Sequence, residues 1–138
     1  MAILGHVIKG AIQLADTISS DINHVEAQKK VLTDLLETAK STAFGKYYNF
    51  YKILDSTSIQ SSFSESVPYF DYNKIHEAWW SRIQNGETDI TWPGEPNYFA
   101  LSSGTTGKTS KRIPVTDAML SAIKSAGVKQ VLSLNNFE

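Results

Sequence analysis

A chain of 138 residues, 41% of them hydrophobic, is long enough for one domain with a sizeable core. Its 13 basic and 14 acidic residues give a formal net charge of -1, so there is no basic excess to bind nucleic acid, and we expect no such partner. The lack of cysteine excludes disulfides and thiolate chemistry, and we expect a cytoplasmic protein.

The first twenty residues carry apolar side chains at helical spacing, which predicts a helix with one face on a core. Lys9, Gln13 and Asp16 interrupt the apolar run, which falls short of the ~18 residues that a membrane span needs. No basic cluster precedes the run, as it would in a signal peptide. We therefore expect neither a membrane anchor nor a secretion signal.

A second helix is predicted to begin at Asn23, a good N-cap residue with Glu26 three positions later. Gly45 is predicted to mark the break after this helix. One apolar stripe is expected along the helix, formed by Val25, Leu32, Leu35, Leu36 and Ala39.

The serine-rich and aromatic segment that follows predicts two short helical turns joined by loops, with Pro68 near its end. A further helix is predicted from Tyr72 to the Asn85–Gly86 stop signal. Its predicted apolar face consists of Tyr72, Ile75, His76, Trp79 and Ile83.

"TWPGEPN" predicts a turn cluster, after which "YFAL" and "KRIPV" predict two strands of a hairpin. Thr116 is predicted to cap a last helix that bears Met119, Leu120, Ile123 and Val128. The predicted fold class is therefore α-rich α+β, with several helices and one β-hairpin.

The loop between the two strands contains glycines, hydroxyls and lysines, a composition that suits phosphate binding. Glycines allow backbone amides to approach an anion, hydroxyls donate hydrogen bonds and lysines supply positive charge. A solvated turn has the same composition, so the two interpretations weigh about equally on composition alone. The candidate phosphate-binding residues of this loop are Ser102, Ser103, Gly104, Thr105, Thr106, Gly107 and Lys108, and Lys111 adds a further positive charge.

"SSGTTGKT" differs from a Walker A phosphate loop at one position, where Ser102 replaces the first glycine. A P-loop also needs a helix directly after Lys108, and Pro114 would interrupt that helix at a cost of ~3 kcal/mol or more. We expect instead a mobile loop from Ser102 to Ser110 between two extended segments.

Three blocks in order, "LLETAKSTAFGKYYNF", "FSESVPYFDYNKIHEAWWSRIQNGE" and "YFALSSGTTGKTSKRIPVT", resemble the Gretchen Hagen 3 (auxin-responsive promoter) family of acyl acid amido synthetases, within the adenylate-forming superfamily. The resemblance covers about residues 31–116. Lys111 occupies the position of the signature lysine, which handles the phosphates of ATP, so the resemblance makes Lys111 the candidate catalytic residue. Thr106 replaces the usual serine, and Lys108 is an additional charge.

The resemblance implies an ATP-binding ligase that uses magnesium, adenylates a carboxylic acid and joins the acyl group to an amino acid. Members of this family are several-fold longer, and neither the ribose-binding acid nor the second motif is visible. Residues 1–138 are therefore predicted to form a single truncated unit, the N-terminal fragment of an adenylating domain, inactive on its own. Exposed apolar faces of such a fragment predict self-association.

Two alternatives stay open, a P-loop NTPase fragment and a non-enzymatic helical interaction module. A helix beginning at Lys108 would favour the first, and a strand through Ile113 would exclude it. His6, His24 and His76 lack metal-ligand spacing. Trp79 is expected in the core rather than in an acyl pocket.

Overall fold

The computed structural model of the protein describes residues 23–102 and 110–133. Four helices come first: α1 (His24–Ala39), α2 (Ala43–Tyr47), α3 (Phe50–Leu54) and α4 (Ile59–Ser66). Then follow α5 (Tyr72–Ile75), a π-helical turn (His76–Trp80), α6 (Ser81–Gln84), β1 (Tyr98–Leu101), β2 (Arg112–Val115) and α7 (Asp117–Ser133). The predicted α-rich α+β class is confirmed. The helix predicted within the first twenty residues lies outside the described residues.

Helix α1 begins at the predicted cap, because the Asn23 side chain accepts a hydrogen bond of 3.1 Å from the Val25 amide. Glu26 forms an ion pair of 2.9 Å with Lys29. The apolar stripe is narrower than predicted: Leu36 is buried, whereas Val25 and Leu35 are 58% and 48% exposed. Leu35 lies about 100° around the helix from Leu36, so only one of the two can face the same core.

The first core cluster joins α1 to the short helices α3 and α4. Its buried members are Leu36, Ala39, Phe50 and Ile53. Full burial of a large apolar side chain contributes roughly 1.5–3 kcal/mol. Short helices such as α3 and α4 would be unstable in isolation, so this packing is what stabilises them. The prediction of two short helices in this serine-rich segment is confirmed.

Gly45 does not end a helix as predicted; it lies inside α2 and is buried. Helix α1 has already ended at Ala39, and the Thr42 side chain caps α2 by accepting the Gly45 amide at 3.0 Å. A Cβ at position 45 would overlap the Ala39 carbonyl oxygen. This glycine is therefore required by close packing, rather than by a turn.

The helical stretch from Tyr72 to Gln84 begins at Asp71, whose carboxylate accepts the Lys74 amide at 2.9 Å. Gly86 follows it with φ +88°, so the predicted stop at Asn85 and Gly86 is confirmed. The π-helical turn in its middle was not predicted, because sequence periodicity does not report a single widened turn.

A second core cluster forms beneath this helical stretch from Trp79, Ile83 and Ile90, with Phe99 of β1 packed against it. Trp79 is thus a core residue, as predicted. Through Phe99 the hairpin is attached to the helical body.

The loop between α6 and β1 also caps the start of α2. The Ala43 and Phe44 amides donate to the carbonyl oxygens of Asp89 and Ile90 at 2.8 and 2.9 Å. These two amides have no partner within α2 itself, since they lie in its first turn. The loop thereby joins the two core clusters, both of which contact Phe44.

Helix α7 begins at the predicted cap, where the Thr116 hydroxyl accepts the Met119 amide at 3.1 Å. Residues 121–130 are all exposed, and Ile123 and Val128 keep 55% and 59% of their surface in solvent. Self-association through this face stays a prediction. Across residues 23–102 and 110–133, every helix is too short or too polar to cross a membrane.

Candidate functional site

Two antiparallel strands carry the candidate phosphate loop between them, as predicted. Leu101 pairs with Arg112, and one step closer to the loop the Ser102 amide donates to the Lys111 carbonyl at 3.1 Å. The ends of the loop are thereby held together. Of the candidate residues, the structure describes Ser102 and Lys111. The others lie outside the described residues: Ser103, Gly104, Thr105, Thr106, Gly107 and Lys108.

The strand through Ile113 rules out the P-loop alternative. A Walker A lysine opens a helix, whereas the chain is extended from Arg112 to Val115 and paired with β1. Pro114 lies opposite Phe99. Because hydrogen-bonded and non-bonded pairs alternate along the ladder, position 114 directs its backbone nitrogen away from β1, where proline removes no ladder bond.

Lys111 stands at the entrance to β2 with an exposed side chain. Its ammonium nitrogen lies 5.0 Å from the centre of the Tyr72 ring, a distance typical of a cation–π contact. Within the described part of the chain, Lys111 forms no ion pair with a carboxylate. Its charge is therefore not neutralised there and stays available for an anion.

Tyr72 links the hairpin to the helical body. Its hydroxyl oxygen accepts the Arg112 amide at 3.0 Å, and its ring stacks on His76 with centroids 5.5 Å apart. The Trp80 ring packs against the same tyrosine in an edge-to-face arrangement, with the two ring centroids 6.0 Å apart. Sequence reasoning placed Tyr72 on an apolar helix face and missed this link, since 40 positions separate it from Arg112.

The acidic residues of the described segments do not form a metal site. Nowhere in residues 23–102 and 110–133 do three histidine or acidic side chains cluster closely enough to hold an ion. Asp71, the acidic residue nearest in sequence to Tyr72, caps α5, and its carboxylate oxygen lies 3.9 Å from the Lys74 ammonium nitrogen. These residues do not fit a protein-held magnesium ion, and we assign no ligand for one.

Comparison with known proteins gave one family match. A family model described as the GH3 family N-terminal domain matches residues 16–136. The match includes every helix and strand described above, together with the loop. No curated protein and no solved structure matches the chain significantly.

Proposed function

Because the chain belongs to the GH3 family, we propose that it forms the N-terminal part of an ATP-dependent acyl acid amido synthetase. In the first step an acyl acid carboxylate attacks the α-phosphorus of ATP, forming an acyl adenylate and releasing pyrophosphate. In the second step the amine of an amino acid attacks the acyl carbon, forming the amide and releasing AMP.

One observation carries this proposal within the family: paired strands flank the Ser/Thr/Gly-rich loop, and Lys111, directly before the second strand, forms no ion pair with any carboxylate of residues 23–102 and 110–133. Departing pyrophosphate concentrates negative charge that amide, hydroxyl and ammonium donors stabilise. In this proposal Lys111 supplies the ammonium group, and Ser102 and the rest of the loop supply hydrogen bonds. Magnesium would accompany ATP and would neutralise part of the phosphate charge.

Residues 1–138 contribute only part of the site in this proposal. The loop offers groups suited to phosphates, whereas adenine stacking and ribose hydrogen bonds require further groups. Binding energy from those remote contacts is what orients the α-phosphorus for attack. We therefore propose that this segment alone binds ATP weakly and does not catalyse adenylation.

Carboxylate-dependent exchange of labelled pyrophosphate into ATP tests the proposal. The intact synthetase and the 138-residue segment are assayed in parallel with aryl and fatty acids, and without any acid as the blank. We expect exchange by the intact enzyme alone. Failure of the intact enzyme with every acid would contradict the adenylation chemistry, and exchange by the segment would contradict its partial nature.

A non-enzymatic helical interaction module is the second candidate, favoured by the exposed Ile123 and Val128 side chains of α7. This candidate predicts concentration-dependent assembly of the intact protein without any carboxylate-dependent exchange. Sedimentation velocity beside the exchange assay separates the two functions.

A further inference from the structure

We propose that Tyr72 is a positioning residue for Lys111, holding the backbone of the next residue, Arg112, and the ammonium group of the lysine where the loop meets β2. This inference rests on the proposed function, in which Lys111 binds phosphates. Tyr72 contacts the hairpin at two points on adjacent residues, the Arg112 amide and the Lys111 ammonium.

The first contact fixes the backbone at the free edge of β2. The Ser102–Lys111 pair is hydrogen-bonded, so the next pair, Leu101 and Arg112, directs its amide and carbonyl groups away from the partner strand. The Tyr72 hydroxyl accepts that outward Arg112 amide at 3.0 Å and lies 3.5 Å from the Arg112 carbonyl oxygen, to which it donates. One side chain thus holds the strand at the residue that follows Lys111.

The second contact orients the lysine side chain. Its four-carbon stem is flexible, and an ammonium group placed over the face of a ring loses part of that freedom. The ring itself is fixed, because Tyr72 is half-buried, stacked on His76 and approached by Trp80. The ammonium group therefore rests against a rigid support.

An aromatic support differs from a carboxylate in a way that suits a phosphate-binding lysine. A carboxylate would neutralise the ammonium and compete with the phosphates, whereas the ring attracts the cation without carrying net charge. Lys111 can therefore be oriented before ATP binds and still present its full charge to the nucleotide. Preorganisation of this kind reduces the ordering cost of binding.

A double-mutant cycle in the intact synthetase tests the coupling of Tyr72 to Lys111. We expect Tyr72→Leu to raise the KM for ATP roughly fivefold, because ring and hydroxyl are both lost, and Tyr72→Phe to raise it about twofold. In a Lys111→Ala background the same Tyr72 changes should alter KM by less than about twofold, since the group they position is absent. Tyr69→Leu is the matched control, because the Tyr69 side chain is 88% exposed.

Equal effects of Tyr72→Leu in the two backgrounds, or an effect no larger than that of Tyr69→Leu, would overturn the positioning role. If Tyr72→Leu does not fold, Tyr72→Phe decides by the same cycle, and an unchanged KM in that variant would overturn the hydroxyl anchor. A wild-type synthetase without carboxylate-dependent exchange would instead overturn the proposed function, and the positioning role with it.

Carbon-13 NMR of the reductively methylated protein gives a readout independent of activity. With Lys111 over the Tyr72 ring, its methyl resonance is expected upfield of those of lysines that lie away from aromatic rings. Lys40, whose ammonium nitrogen lies 5.4 Å from the centre of the Tyr51 ring, should be shifted in the same direction, so Lys111→Arg assigns the Lys111 signal. Tyr72→Leu should return the resonance to the ordinary position, whereas Tyr72→Phe should retain the upfield shift. A Lys111 resonance that is identical in wild type and Tyr72→Leu would overturn the ring contact, whatever the kinetics show.

Discussion

Gly45 of α2 packs directly against Ala39, the last residue of α1. A Cβ added at Gly45 would overlap the Ala39 carbonyl oxygen and lie 2.9 Å from both the Cα and the carbonyl oxygen of Lys40. All three atoms belong to the backbone, so they cannot rotate away as a flexible side chain could. The close approach of the two helices therefore depends on glycine at this position.

We expect Gly45→Ala to lower the free energy of unfolding by about 1–3 kcal/mol, the usual cost of overpacking a well-packed site. Gly127→Ala is the matched control, because Gly127 lies within α7 and, apart from the neighbouring backbone of that helix, no atom of the described residues comes within 4 Å of an added Cβ. That change should raise stability by up to about 1 kcal/mol through helix propensity. Urea unfolding of both variants measures the difference, and a stabilised Gly45→Ala would contradict the packing argument.

Thr42 stabilises the same junction through its hydroxyl. The side chain is 1% exposed, donates to the Ala39 carbonyl at 2.7 Å and accepts the Gly45 amide at 3.0 Å. Thr42→Ala should cost about 1–2 kcal/mol, since it removes an N-cap and leaves buried polar groups without their partner. Thr38→Ala, which removes a hydroxyl from an exposed residue of α1, should change stability by less than about 0.5 kcal/mol. Thermal unfolding compares the two variants, and equal losses would refute the capping role.

Local signals predicted the element boundaries well. The caps at Asn23 and Thr116, the stop at Gly86 and the two strands around the loop each depend on residues within a few positions of one another. Such features follow from backbone hydrogen bonding and dihedral preference, which act over short sequence distances. Sequence reasoning could therefore predict them without knowledge of the tertiary fold.

Features that depend on distant partners were missed. In the sequence, Gly45 cannot be distinguished from a glycine that ends a helix. Glycine is needed there because the backbone of α2 packs closely against the end of α1. The amide of Ala43 finds its partner at Asp89, and that of Arg112 finds its partner at Tyr72. No local pattern encodes such pairs, so the predicted site contained Lys111 but not Tyr72, which supports it.

The ion pair between Arg82 and Glu87 predicts an acid-dependent contribution to stability. The guanidinium donates to the carboxylate at 2.7 and 3.0 Å, and these hydrogen bonds, aided by the opposite charge, hold the pKa of Glu87 below its ordinary value of 4.5. A carboxylate with a lowered pKa stabilises the fold above its unfolded pKa, and this contribution is lost as pH falls through the folded pKa. The loss is therefore expected below about pH 4.5.

NMR titration of the Glu87 carboxyl carbon measures this shift directly. In the wild type the midpoint should lie below 4.5, and in Arg82→Gln it should rise toward that value. The effect should also weaken in high salt, since the Arg82 and Glu87 side chains keep 40% and 48% of their surface in solvent. A midpoint that does not respond to Arg82→Gln would refute the assignment of the shift to this pair.

Lys111 and Lys108 are both candidate phosphate ligands, and substitution in the intact synthetase separates them. Lys111 directly precedes a strand whose backbone is hydrogen-bonded on both edges, by β1 and by Tyr72. The backbone from which its side chain extends is therefore fixed. We expect Lys111→Ala to lower the carboxylate-dependent exchange rate on the order of 100-fold, the typical effect of losing one preorganised charge-stabilising donor. Lys108→Ala should lower it by less than about tenfold.

Lys52→Ala, an exposed change on α3 away from the hairpin, serves as the control and should leave the rate unchanged. Equal losses at Lys108 and Lys111, or a larger loss at Lys108, would assign the phosphate-binding charge to the loop rather than to the entrance of β2.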